Sequence, residues 1–446
     1  MAGRLKLFAQ NRSFRSSALP QDNNTLKVII PGKLIDGVGS KAQEGMAVAI
    51  QGNSIKWVGP SEEAASLDSS GAAKETLEFP GATLLAGLFD IHTHTNMPGD
   101  GRTGEQVNLD DNDEVRLLRS AKNVTTALAS GVTTMCDCGS WNRTGFALKE
   151  GLAEGLVEGP RVLVSGPPLT VTGGHLYYMG GEADGVSEVR KMVRNLVKQG
   201  ADFIKIAASG GSTSTSDPYR AAYSLAELTA IVDEAHNRGR SVLAHCRCTD
   251  AINAALDAGV DAILHCSFYD NDGRYRFDQK TADRLAASEV FLNPTMGLGR
   301  ANRNRLISLK SERGLTADEE ERLERSSASG ENSLAQFSAL VKAGVKLVGG
   351  SDCGWSYYPF GDFQGEVMSL HEAGLSRIDA IHAGTRSPAV ALGIGSSIGT
   401  VEAGKEADLL VVNGDPTEDL EHLRDVATVF KGGASVATAK ERLALG

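Results

Sequence analysis

Eight times between residues 82 and 393 the chain repeats one alternation, a short apolar run followed by turn residues and a helix-periodic stretch of roughly ten to fifteen residues. The runs occupy residues 83–90, 133–137, 160–165, 203–207, 242–245, 262–265, 290–293 and 346–351. A helical crossover lets consecutive strands lie parallel, and eight such units are the content of a TIM-like (β/α)8 barrel. The expected class is therefore α/β, with the barrel spanning residues 82–393. Residues 302–325 are rich in Glu, Arg and Lys and too long for a plain loop. They read as one extra solvated helix without chemistry.

The flanks have another texture. Residues 26–81 show alternating runs separated by Asp36-Gly37 and Gln51-Gly52-Asn53, and the pattern returns over residues 394–446. Neither flank is long enough to secure a core by itself. The expectation is one small β-sandwich built from both ends. Residues 1–25 carry Arg4, Lys6, Arg12 and Arg15 ahead of the first acidic residue, Asp22, and lack the apolar core of a secretion signal. They read as an N-terminal arm.

The 446 residues hold 45 Lys+Arg against 56 Asp+Glu, a formal charge of −11. That balance removes the electrostatic drive for nucleic-acid binding, and no run approaches the roughly 18 apolar residues of a membrane span. The six cysteines follow neither a disulfide framework nor a zinc ribbon, which points to reduced thiols and a cytoplasmic protein.

The first barrel run ends Asp90-Ile91-His92-Thr93-His94. Strand alternation sends Asp90, His92 and His94 the same way, toward the barrel mouth, where two imidazoles can share a metal. Histidines also end the fifth and sixth runs, His245 and His265, and Asp352 follows the eighth. Residues at barrel strand C-termini converge on one site. In Phe203-Ile204-Lys205-Ile206-Ala207 the isoleucines face the helices, which leaves Lys205 facing inward. A free ammonium beside metal cations is unfavourable, whereas a lysine carboxylated by CO2 is an anion able to bridge two metals.

On these residues the chain resembles the binuclear, metal-dependent amidohydrolase superfamily. Gly87-Leu88-Phe89-Asp90-Ile91-His92-Thr93-His94, Gly131-Val132-Thr133-Thr134, Gly173-Gly174-His175 and the stretch from Gly399 to Leu409 are similar to its imidazolonepropionase-like and Xaa-amino-acid dipeptidase branch. The resemblance implies hydrolysis of an amide-type C–N bond in a small-molecule substrate, and a homo-oligomer. It also implies two divalent metal ions, zinc foremost, held by His92, His94, Lys205, His245, His265 and Asp352, with a CO2-derived carboxylate on Lys205. Asp352 would be ligand and proton shuttle. Tyr223 matches a tyrosine that bonds the substrate carbonyl in dipeptidase-like relatives, and His175 is a further catalytic candidate; loop packing is the alternative for both.

The chain departs from that branch at Leu264 and Cys266, where Glu and Gly usually flank the histidine, and in the aromatic loop Trp355-Ser356-Tyr357-Tyr358-Pro359-Phe360. With only 5% aromatic residues in the chain, this clustering is notable. Tyr177, Tyr178, Phe268, Met296, Trp355, Tyr357 and Tyr358 are expected to contact substrate, which favours an aryl amide, a carbamate or an N-acyl amino acid. The alternatives are a prolidase-like Xaa-amino-acid dipeptidase, a deaminase or cyclic-amide hydrolase of the same superfamily, and a non-catalytic scaffold. Lys205 argues against a mononuclear deaminase, and the complete ligand set against a scaffold.

Overall fold

The first flank supplies β1 (Thr25–Ile35), β2 (Gln43–Glu44), β3 (Met46–Gln51), β4 (Ser54–Pro60) and β5 (Ala73–Ala86). The central region supplies β6 (Leu88–Thr93), β7 (Val132–Asp137), β8 (Arg161–Val164), β9 (Phe203–Ala207), β10 (Ser241–Cys248), β11 (Ala262–Tyr269) and β12 (Phe291–Asn293). The second flank adds β13 (Leu409–Asn413), β14 (Val426–Lys431) and β15 (Ala434–Val436). This computed structural model describes residues 24–438 and 440–442. The arm expected over residues 1–25 lies outside them but for its last two positions.

Strands of both flanks meet in one eight-stranded sheet, ordered β15-β14-β13-β5-β1-β3-β4 with β2 alongside β1. Where two packed sheets were expected, the ladder is continuous, because the long β5 pairs parallel with β1 and antiparallel with β13. The first apolar run is accordingly divided. Its start belongs to β5, and the chain turns at Gly87, where a Cβ would collide with the Thr133 side chain, before β6 begins.

The central region is mixed α/β with two parallel sheets, β6-β7-β8 and β9-β10-β11-β12. Helices such as Asp113–Ala129, Gly185–Gln199, Leu225–His236 and Thr249–Ala258 make the crossovers. Alternation sorts the strand side chains as the period-2 rule requires. Phe89, Leu163, Phe203, Leu243, Leu264 and Val348 form an inner cluster, while Ile204, Val242 and Ile263 join the core that packs under the helices. The eighth run forms no ladder. It makes a parallel bridge from Leu347 to Leu292, and then Ile91 N donates to Gly349 O (3.2 Å) and Asp352 N to His92 O (2.7 Å). Glycine at 350 permits this approach, since a Cβ there would sit 2.7 Å from the His92 Cβ.

Two helices, Met296–Arg313 and Ala317–Lys342, replace the single solvated helix expected over 302–325. Gly314 leaves the first at φ 79°, and a Thr316–Glu319 capping box starts the second. The second helix is not wholly solvated: Gln336, Phe337 and Leu340 are buried.

Asp408 ties the flank sheet to the central region. It accepts from Lys431 Nζ (2.8 Å), Gly432 N (2.8 Å) and, across from β8, Arg161 Nη1 (2.7 Å). No helix among the described residues is long and apolar enough to cross a membrane.

Candidate metal centre

Hydrogen bonds on the outer ring nitrogens decide which atom each histidine presents. Asn293 Nδ2 donates to the carbonyls of Val348 and Gly350, so its Oδ1 is the face turned to His92 Nδ1 at 3.1 Å. The proton therefore sits on Nδ1, and the lone pair of His92 is on Nε2. His94 Nδ1 donates to Gly139 O (3.1 Å) and likewise presents Nε2. Thr295 Oγ1 donates to Pro294 O and accepts from His265 Nδ1 (2.9 Å), with the same result. His245 is inverted: Nε2 donates to Gly210 O (3.1 Å), leaving Nδ1 as the donor atom.

These imidazoles are neighbours. The ring of His92 lies 5.6 Å from that of His94 and 5.2 Å from that of His265, which is 4.5 Å from His245. Asp352 Oδ1 stands 3.4 Å from His92 Nε2 and 3.5 Å from His94 Nε2. That oxygen is buried and accepts no hydrogen bond. A carboxylate oxygen aimed at two imidazole lone pairs is repulsive unless a cation lies among them. The donor set His92, His94 and Asp352 therefore fits a divalent metal, and its ligand atoms lie within 4.8 Å of one another.

Desolvation, and then the neighbouring Lys205 or histidine charges, holds His92, His94, His245 and His265 well below the ordinary imidazole range, so they are neutral, the ligating form. Burial also lowers the Lys205 amine and pushes Asp352 up to about 7. His265, Thr295 and Asp352 have φ of 69°, 54° and 57°. For non-glycine residues such left-handed backbone is strained, and it is found here at two residues of the cluster, His265 and Asp352, and at Thr295, which bonds His265 Nδ1. Asp90 is not part of that cluster. It accepts from the backbone and hydroxyl of Ser351 and from His92 N, and so fastens β6 to the eighth run.

The cluster floors a cavity of about 370 Å³. His175 reaches it, with Nδ1 2.9 Å from Thr213 Oγ1 and its ring 4.6 Å from His245. Tyr223 does not. Its hydroxyl donates to Ala183 O (3.1 Å), and the side chain, 3% exposed, packs in the core. Of the seven side chains expected to contact substrate, Trp355 and Met296 line the cavity, Trp355 with its ring 5.3 Å from His94.

The other five are spent on packing. Tyr178 stacks on Trp141 (5.5 Å) and Tyr177 packs edge-on against Tyr178. Phe268 is buried against Phe277, Tyr357 lies under the Arg322 guanidinium, and the Tyr358 hydroxyl donates to Asp362 O (2.6 Å). In their place the wall holds Tyr269, Tyr275 and Phe337, together with Arg247 and Arg303. Arg247 was legible in principle, two residues beyond His245 on one strand; Arg303 was hidden in a charged helix.

The sequence profile of the amidohydrolase family matches residues 83–436. The ochratoxinase of Aspergillus niger is 27% identical over 443 aligned positions, covering 92% of this chain and 87% of its own length. The crystal structure of the A. niger ochratoxinase superposes with a TM-score of 0.76 at 26% identity, covering 93% of this chain and 96% of that one. A Xaa-Pro dipeptidase crystallised with methionine in its active site gives a TM-score of 0.79 at 26% identity, covering 92% and 99%.

Proposed function

This chain belongs to the amidohydrolase family and is a hydrolase of carbon–nitrogen bonds, and from that premise we propose that it cleaves an amide-type bond of an aryl amide, a carbamate or an N-acyl amino acid. In this reading residues 82–393 make one eightfold barrel, and residues 26–81 and 394–446 a companion β-domain. His92, His94, His245, His265, Asp352 and a carboxylated Lys205 hold two divalent metals, zinc foremost. Such metals supply a water acidified toward neutral pH and polarise the scissile carbonyl.

The protein groups do the rest. Asp352 would hold a metal through Oδ1, the oxygen that faces the ligand nitrogens, and its other carboxylate oxygen takes the proton of the attacking water and passes it to the departing nitrogen. His175, held by Thr213 at the cavity wall, orients the carbonyl. The observation that carries the substrate class is Trp355, whose ring stands 5.3 Å from that of a ligand histidine inside the cavity. An aromatic substrate group buried there gains about 25 cal/mol per Å². The six cysteines, all free and buried, support a reducing, cytoplasmic setting.

A prolidase-like activity is the second reading, supported by the likeness to the Xaa-Pro dipeptidase. The test is a kcat/KM panel of N-acyl aromatic amino acids, aryl amides, carbamates, Xaa-Pro, Gly- and Ala-dipeptides, and ochratoxin, which the relative's name suggests. Aryl-containing substrates are expected to lead, and Trp355→Ala to cut their advantage at least ~10-fold. Best turnover of Gly- or Ala-dipeptides, or unchanged selectivity in Trp355→Ala, overturns the reading.

A further inference from the structure

β10 delivers two side chains to the cavity. His245 is one; Arg247, two residues further along the same face, stands nearer the mouth. Its backbone is pinned, with Arg247 N donating to Ser209 Oγ (2.9 Å). Its guanidinium is not: Nε is buried without an acceptor, and the group rests over the face of Tyr269 at 5.7 Å. Arg303, from the helix Met296–Arg313, enters the same cavity and spends one long bond, Nη1 to Ser326 O at 3.4 Å.

The charge balance of the cavity is the reverse of the chain's. A protein of formal charge −11 lines this cavity, beyond the candidate metal ligands, with two guanidinium groups, Arg247 and Arg303, and no further carboxylate. The charge of Arg247 reaches Asp352 and also His175, His245 and His265. A buried guanidinium nitrogen without an acceptor is costly, and bound metals add further positive charge. An anionic group entering with the substrate removes both costs, and a carboxylate matches the planar fork of guanidinium donors.

We propose that Arg247 and Arg303 bind a carboxylate of the substrate, so that this enzyme selects amides carrying a free carboxylate close to the scissile bond. The proposal rests on the amide-hydrolase reading above and names the feature its substrates share. Of the two, Arg247 is the principal contact, because it has the fewer bonds to lose and lies on the strand that carries a ligand histidine.

Two substrate pairs test it on the metal-loaded enzyme. N-acetyl-L-phenylalanine against N-acetyl-L-phenylalaninamide places the charge on the amine side, and succinanilic acid against acetanilide places it on the acyl side. The wild type should prefer the charged member of at least one pair by roughly 30-fold in kcat/KM, mainly through KM, the usual scale for a desolvated charge pair. In Arg247→Met the preference should fall to within about threefold, whichever way the separate rates move, with Arg247→Lys intermediate. Calorimetry of phenylalanine binding to the same proteins should weaken in parallel. If Arg247→Met does not fold, Arg247→Lys and Arg303→Met carry the comparison, with metal content and melting temperature as controls. Equal rates within both wild-type pairs, or a preference untouched by these substitutions, overturns the carboxylate site. Failure of all four compounds to turn over counts instead against the aryl-amide and N-acyl amino acid substrates proposed above, and calorimetry then still decides whether Arg247 binds a carboxylate.

Discussion

Nζ of Lys205 lies 3.0 Å from Nε2 of His92, although the two residues stand on different parallel sheets and are 113 positions apart in the chain. Both are at most 2% exposed. With the His92 proton held on Nδ1 by Asn293, that Nε2 offers its lone pair, and the lysine nitrogen donates to it. Burial lowers the Lys205 pKa and enriches the free amine, the form that reacts with CO2.

If Lys205 is carboxylated as proposed, Lys205→Ala is expected to lose metal and activity together, and short carboxylic acids to restore part of both, since the missing group is then an anion. Metal content by elemental analysis, with and without added formate or acetate, checks this. A fully metallated, fully active variant removes Lys205 from the site.

Asp352→Asn separates ligation from proton transfer. The amide oxygen still faces His92 and His94, but it accepts no proton from the attacking water. Metal should be retained while kcat falls by at least ~10²-fold, the usual scale for a lost general base. Wild-type turnover would exclude the carboxylate from proton transfer.

Asp408→Asn tests the joint between the two parts of the fold. Burial alone would raise the Asp408 pKa, but Lys431 and Arg161 override it and hold the carboxyl down at about 2, below its ordinary 3.8. The stability it contributes is thus present above pH ~4 and lost as the pH falls through 2. At pH 7 the substitution takes the buried carboxylate from Lys431, while Arg161 keeps Glu406, and should cost about 3–5 kcal/mol. Urea unfolding across pH 2–7 reads this, with the gap between variant and wild type closing toward the acid end.

Glu366 has the opposite sign. It is fully buried, accepts from Gly297 N through one oxygen, and leaves Oε1 without a partner. Burial pushes its pKa up to about 8 from an ordinary 4.5. The folded state binds the proton more tightly, so stability from this group falls as pH rises from 4.5 to 8 and is flat beyond. Glu366→Gln keeps an acceptor for Gly297 and removes the titration. Its melting temperature should exceed that of the wild type at pH 9 and converge with it below pH 4.5. No difference at pH 9 would mean the carboxyl ionises without penalty.

What the sequence by itself determined is which polar side chains gather at one cavity, the set proposed to hold metal. His92, His94, Lys205, His245, His265 and Asp352 each end or face inward from a short apolar run, and strand alternation with parallel order brings such positions together whatever the loops do. The division of the first run at Gly87, the single eight-stranded sheet and the pair of helices over residues 296–342 were not legible, because each depends on contacts far apart in the chain, as between β5 and β13. Tertiary structure alone also decided which side chains meet the cavity. Tyr358 is turned away by its bond to Asp362 O, Tyr223 by its bond to Ala183 O, and Arg303 is brought in by a helix whose sequence reads as solvated surface. A strand fixes where its side chains point through a local two-residue period, whereas a loop or a surface helix has its direction set only by what it packs against.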